Sequence, residues 1–169
     1  MRVAILGYGG AGKSTLARTL GERQGVPVLH LDRLHWLPGW RERDDEDMRR
    51  ILEAFLHEHD AWVIEGMYTR FLFAERLELA DTIVILDLPR LVCLARAWKR
   101  YRQYRGVARP DMTEGCEEKF DGEFVRWLLI GGRSRKRCSM MRAIRKQYPD
   151  KVVVLRSQRH IDRWAGRSR

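Results

Sequence analysis

GYGGAGKS, at residues 7–14, places Gly7, Gly9, Gly10 and Gly12 directly ahead of Lys13 and Ser14. The spacing G-x-x-x-x-G-K-S is that of a phosphate-cradling loop. The flanks agree with it. MRVAIL before the glycines reads as a short buried strand. KSTLARTLGERQG after them carries Leu16, Ala17 and Leu20 at helical spacing. The composition has a physical reason. Backbone N–H groups must converge on one concavity, so side chains have to be absent and positive φ permitted. The helix that follows turns its unpaired N–H groups and partial positive charge toward the same point. In this pattern Gly7, Gly9, Gly10, Ala11, Gly12, Lys13, Ser14 and Thr15 bind the phosphates of ATP. Lys13 reaches the β- and γ-phosphates, and the Ser14 hydroxyl ligates Mg²⁺.

Outward from the loop, strands and helices alternate. VPVLHLD reads as a second strand ending near Asp32, and RLHWLPGW as a loop. DDEDMRRILEAFLHEHD is a helix with acidic residues in its first turn, and AWVIEG a third strand ending at Glu65-Gly66. RFLFAERLELA is a short helix, and DTIVILDLP a fourth strand stopped by Pro89. RLVCLARAWKRYRQYRG is a long basic helix. EEKFDGEFVRWLLIG and SRKRCSMMRAIRKQY are helical, KVVVLRS is a fifth strand, and RHIDRWA closes as a short helix. Such alternation predicts an α/β fold in three layers, with a five-stranded parallel sheet between helices. Functional residues then gather at the carboxyl ends of the strands: residues 7–15, Asp32, Glu65-Gly66, residues 87–89, and Arg156-Ser157.

The 169 residues suit one domain. Apolar runs are too short for a membrane span, and the first strand begins too early for a signal peptide. Cys93, Cys116 and Cys138 are scattered, with neither metal-ligand nor disulfide spacing, so a reducing cytoplasm is expected. Charge is uneven. Residues 1–88 hold 11 basic against 15 acidic side chains, net −4, and residues 89–169 hold 22 against 8, net +14. A cationic second half suits a lid that gathers phosphates, and also allows weak non-specific nucleic-acid binding.

The order of P-loop, acceptor loop, carboxylate-Gly, LDLP and spaced arginines resembles the nucleoside monophosphate kinases, adenylate kinase above all. LDRLHWLPGW, RPDM and EGCEEKF resemble more closely the adenylate-kinase-like DNA topology modulation proteins. The resemblance runs nearly end to end. It implies a single P-loop kinase-like domain over residues 1–169, with a helical lid insertion over about 96–137. It also implies an acceptor-side group of Asp32, Arg33, Glu65, Gly66 and Arg70, with Glu65 standing where the enzymes carry Asp. Asp87 and Pro89 match Asp-x-Pro, and Arg96 and Arg100 match the lid arginines. An i, i+4 pair shares one helix face, so both guanidiniums can aim at one phosphate cluster.

These residues divide into roles. Lys13, Arg96 and Arg100 supply charge that a phosphoryl-transfer transition state needs. Ser14 and Glu65 serve Mg²⁺, partly through water. Asp32 serves either as a ligand of Mg²⁺-bound water or as a base beside the acceptor. Arg109, Arg126, Arg133, Arg135 and Arg137 are further lid candidates. Trp36, Trp40 and Tyr68 are positioned either to stack on an acceptor or to pack in the core. WKRYRQYR, residues 98–105, interleaves aromatics and cations as single-stranded nucleic-acid surfaces do, and as an ordinary lid helix also does. Two classes of function follow. One is a small-molecule kinase that moves the γ-phosphoryl of Mg-ATP to a nucleotide-like acceptor, or to a hydroxyl with Asp32 as base. The other is a nucleic-acid-binding ATPase or regulator.

Overall fold

β1, Arg2–Gly7, runs through the centre of the molecule with five of its six residues buried. Its side chains alternate between two cores, as period-two geometry requires. Val3 and Ile5 join one cluster, and Ala4 and Leu6 join the other. A strand covered on both faces must be apolar throughout, which is why VAIL is uninterrupted.

The computed structural model describes residues 1–107 and 109–167, with Arg167 in backbone only; Ala108, inside the expected lid, lies outside the described residues. After β1 come α1 (Lys13–Gln24), β2 (Val28–His30), α2 (Leu31–His35), β3 (Trp36–Leu37) and β4 (Arg41–Glu42). α3 (Asp45–Glu58), β5 (Trp62–Glu65), α4 (Phe73–Leu79), β6 (Thr82–Leu86) and α5 (Arg90–Gln103) follow. α6 (Gly122–Leu129), a 3-10 turn (Gly131–Arg133), α7 (Arg135–Gln147), β7 (Val152–Leu155) and α8 (Gln158–Arg167) complete the order. β2, β5, β1, β6 and β7 lie side by side in that order, all parallel. On one face Leu16 and Leu20 of α1, Cys93 and Ala97 of α5, and Ile161 of α8 pack against Val63, Val84 and Leu86. On the other, Met48 and Leu52 of α3, Leu77 of α4, and Met141 and Ile144 of α7 pack against Trp62, Ile64, Ile83 and Ile85. The result is the expected three-layer sheet of five strands. No helix among the described residues is long and apolar enough to cross a membrane.

Three expected elements come out differently. β2 ends at His30, and the next five residues turn helical because burying Leu31 and His35 selects a 3.6-residue repeat there. Asp32 therefore sits in the first turn of α2 and does not end a strand. RLHWLPGW is also not a plain loop. Trp36↔Glu42 and Leu37↔Arg41 pair as a small antiparallel hairpin. Its tip holds Gly39 at φ 76° and Trp40 at φ 62°. A bulky residue in the left-handed region is an outlier of the kind that clusters at ligand sites. The helix expected from Glu117 starts only at Gly122, capped by Asp121, whose carboxylate accepts from Phe124 N at 2.8 Å.

Candidate active site

The glycine loop is a tight wrap between β1 and α1. Ala11 N donates to Tyr8 O at 3.2 Å, and Leu16 N to Gly12 O at 3.0 Å, which opens the helix. Gly12 precedes α1 at φ 96°. At Gly10, φ is 71° and a Cβ would stand 2.3 Å from Cys93 O, so only glycine fits against α5. Other side chains brace the wrap. Arg96 Nη1 donates to Ala11 O at 2.9 Å, and Lys13 Nζ donates to Tyr8 O at 3.3 Å. Behind the loop the Arg133 guanidinium stacks 3.9 Å from the Tyr8 ring centroid. The Tyr8 hydroxyl is pushed up to about 12 by burial first, and then by its contact with Cys138.

Glu65 ends β5 with 1 % of its side chain exposed. Its Oε1 accepts from the Ser14 hydroxyl at 2.9 Å and lies 3.0 Å from His30 Nδ1. Its Oε2 is buried with no hydrogen-bond partner among the described residues. A hydroxyl and a carboxylate oxygen with free capacity form a hard-oxygen donor set, which fits Mg²⁺. Among the described residues no cluster of three or more His, Cys, Asp or Glu could hold a metal by itself. The fit is therefore to a cation held mainly by phosphates and water, as Mg²⁺ usually is.

The lid contributes a second group of charges. Arg109, 8 % exposed, meets Glu118 at 2.9 Å, Asp111 at 3.4 Å and Asp32 at 3.9 Å, and Arg100 meets the same Glu118 oxygen at 3.0 Å. Burial lowers the Arg100 guanidinium, reinforced by the like charge of Arg109. At Asp111 burial pushes upward, but the Arg109 charge and polar neighbours that favour the anion outweigh it and hold the carboxyl below its usual range. Tyr68 donates to Asp32 Oδ1 at 2.9 Å, and its phenol is held well above the usual range by burial and then by the Asp32 charge. Tyr68 is itself fixed by Arg76, whose Nη2 donates to Tyr68 O at 2.6 Å; burial lowers the Arg76 guanidinium to about 10.

Lid and hairpin are stitched together. The Thr113 hydroxyl donates to Trp36 O at 2.6 Å, the Cys116 thiol to Leu37 O at 3.3 Å, and Gly39 N to Gly115 O at 3.2 Å. Lys119 lies 5.4 Å over the Trp40 ring. One cavity of about 1150 Å³ runs from Gly12, Lys13 and Arg96 to Asp32, Trp40 and Tyr68. It exceeds the roughly 300–1,000 Å³ of a single small-ligand pocket, so it has room for two molecules.

Residues 3–118 match the family described as AAA domain. The chain belongs to the AAA domain family. The matched stretch ends at Glu118, the carboxylate shared by Arg100 and Arg109. The chain is 26 % identical over 130 residues to the uncharacterized protein YqaC of Bacillus subtilis, spanning 76 % of this chain and 71 % of that one. It is 32 % identical over 110 residues to the adenylate kinase of Mycobacterium leprae, spanning 63 % of this chain and only 58 % of that enzyme's length. Among solved structures, deoxyadenosine kinase from M. mycoides, with the products dCMP and a flexible dCDP bound, superposes with a TM-score of 0.51. That match covers 98 % of this chain and 97 % of the other at 14 % identity, a likeness of fold. Together these describe a P-loop kinase-like protein.

In this AAA-domain chain, Gly7, Gly9, Gly10, Gly12, Lys13, Ser14, Thr15, Asp32, Gly66, Arg96 and Arg100 line the cavity. Ala11 is fully buried beneath it, and Glu65 reaches it through Ser14. Arg33 and Arg70 are not brought in. Arg33 is exposed, and Arg70 pairs with Asp45 at 2.8 Å on the surface. Of the five further lid candidates, Arg109 and Arg137 line the cavity and Arg133 turns away onto Tyr8. Arg126 and Arg135 do not line it. Asp87 and Arg156 face each other at 3.7 Å. In the basic helix, Trp98 and Tyr101 pack on Phe120, so its aromatics brace the lid. His30, Arg76, Asp111, Glu118 and Gln158 were not singled out in the sequence. Asp111 and Glu118 lie within RPDM and EGCEEKF, which carried the resemblance but no assigned role.

Proposed function

We propose that the chain is an ATP-dependent small-molecule kinase, and that its narrower kinship is with the DNA topology modulation proteins. The observation that carries the kinase reading is the single cavity joining the phosphate loop at Lys13 to a carboxylate–phenol pair, Asp32 and Tyr68. The donor lies on the loop, its phosphates on the N–H groups of residues 9–15 and on Lys13. Arg96, held between Ala11 O and the Gln158 side chain, faces the donor from α5. Ser14 and, through water, Glu65 would hold Mg²⁺, which supplies positive charge to the β- and γ-phosphates. The acceptor lies at the hairpin end, among Trp36, Trp40 and Tyr68.

The chemistry is positioning and charge. An acceptor oxygen bonds to the γ-phosphorus while the bond from that phosphorus to the bridging oxygen breaks, and ADP leaves. Lys13 and Arg96 match the negative charge on the transferring group. The segment of residues 109–119, bonded to the hairpin, keeps out water that would otherwise take the phosphoryl group.

The test is ADP release from ATP and Mg²⁺ across small phosphates and alcohols. Release stimulated by an acceptor, and abolished in a folded Lys13→Ala variant, supports the reading. Acceptor-independent release, or normal turnover in Lys13→Ala, rules it out.

A further inference from the structure

We propose, resting on the kinase reading, that the acceptor is a ring-bearing alcohol, uncharged or positively charged, and not a phosphate ester, and that Asp32 is the base that deprotonates it. The acceptor end of the cavity carries its own charge balance. Arg100 and Arg109 are ion-paired with Asp32, Asp111 and Glu118, and Lys119 lies over the Trp40 ring. Neither guanidinium is free of a carboxylate partner. Arg109 already meets three carboxylates, and Arg100 already meets one. Lys119 is exposed and lies over an indole ring.

A phosphate ester brings about two negative charges at neutral pH. To be bound here it would have to displace Glu118 or Asp111 from the arginines, which leaves a carboxylate unpaired at 8 % or 12 % exposure. A neutral or cationic molecule meets no such conflict. The donor end differs: among the described residues Lys13 and Arg96 bond to carbonyl and amide oxygens and to no carboxylate, so their charge is available to phosphates.

The rest of the site suits an alcohol. Asp32 is 39 % exposed, with Oδ1 on the Tyr68 hydroxyl and Oδ2 no closer than 3.9 Å to Arg109. Tyr68, held neutral, orients the carboxylate as a donor and does not compete for the proton. Trp36 and Trp40 meet edge to face at 5.4 Å, and Trp40 holds a left-handed backbone to be there. Such walls favour a ring. In the step, Asp32 takes the hydroxyl proton as the oxygen bonds to the γ-phosphorus, ADP departs, and the proton passes to solvent from the exposed carboxylate.

The experiment saturates the phosphate loop with a non-hydrolysable ATP analogue. Binding at the tryptophans is then followed by fluorescence for nucleosides, monosaccharides and amino alcohols, each beside its phosphate ester, and for inorganic phosphate. The alcohol should bind at least about tenfold tighter than its ester in the best pair, and inorganic phosphate should not register below about 1 mM. Glu118→Gln and, independently, Asp111→Asn should each strengthen inorganic phosphate binding by about tenfold, because each frees a guanidinium; a purely structural carboxylate would give no such gain. Asp32→Asn should keep alcohol binding and lose turnover. A panel in which no alcohol outperforms its ester, or wild-type binding of phosphate at this end, overturns the inference. ADP release on the same panel judges the kinase reading separately, since phosphate esters as sole acceptors would leave a kinase but not this one.

Discussion

The Ser14 hydroxyl and His30 Nδ1 converge on a single oxygen, Glu65 Oε1, at 2.9 and 3.0 Å. This joins the first turn of α1 to the carboxyl ends of β2 and β5. Replacing Glu65 by Gln keeps the shape but removes the charge that fits Mg²⁺. Turnover should fall on the order of 100-fold or more, with the far-ultraviolet dichroism unchanged. Ser14→Ala should lose a similar factor. Near-normal rates in either folded variant would place the cation elsewhere.

Arg96 and Arg100 sit one turn apart on α5 and do different things at rest. Arg96 bonds to the loop carbonyl of Ala11, and Arg100 to Glu118. Both should act on the chemical step. Arg96→Ala and Arg100→Ala should each lower kcat by roughly tenfold to a thousandfold, and weaken ATP binding by less. Steady-state kinetics beside equilibrium nucleotide binding separates the two. Equal losses in kcat and in binding would make them anchors of the ground state.

Gly10 and Gly122 make a matched pair of stability tests. A methyl group at Gly10 meets Cys93 O at 2.3 Å on a backbone of positive φ, whereas one at Gly122 has no neighbour within 4 Å. Gly10→Ala should destabilise by about 1–3 kcal/mol, from overpacking against rigid backbone. Gly122→Ala, in the first turn of α6, should be neutral or stabilise by up to about 1 kcal/mol. Chemical denaturation midpoints decide it.

What the sequence revealed, and what it withheld, divides along physical lines. The sheet was legible because VAIL, WVIE and TIVIL are buried on both faces and so read as continuous apolar runs. The glycine loop was legible because its backbone geometry excludes other residues. Strands of two residues such as Trp36–Leu37 are shorter than any periodicity can register, so the hairpin was read as loop. Arg70 was placed at the site by the resemblance to adenylate kinases, but the structure gives it Asp45 for a partner. Asp111 and Glu118 carry no local pattern. Their importance comes from the fold bringing Arg100 and Arg109 to them, a contact between side chains in an irregular segment that no spacing rule encodes. Arg76 has no signal of its own within RFLFAERLELA, yet it is buried against the carbonyl of Tyr68.

The Asp111 carboxyl is held below its ordinary value of 3.8. A depressed folded-state value means that the stabilisation is fully present above the unfolded value and is lost as pH falls through the folded one. Wild-type protein should therefore keep a constant stability advantage over Asp111→Asn above about pH 4, and lose it progressively below. Urea denaturation of both proteins as a function of pH reads the difference. An advantage independent of pH down to about 2 would show that Asp111 does not ionise more readily when folded.

In the proposed reaction the phosphoryl group leaves ATP for a small molecule seated beside Asp32. The most direct measurement is a single turnover with ATP labelled at the γ-phosphorus, Mg²⁺ and an acceptor that stimulates ADP release, followed by separation of the products. The label should appear on the acceptor, one for each ADP formed, and should stay on ATP in Lys13→Ala and Asp32→Asn. Label recovered only as inorganic phosphate, at a rate no acceptor changes, would contradict the account.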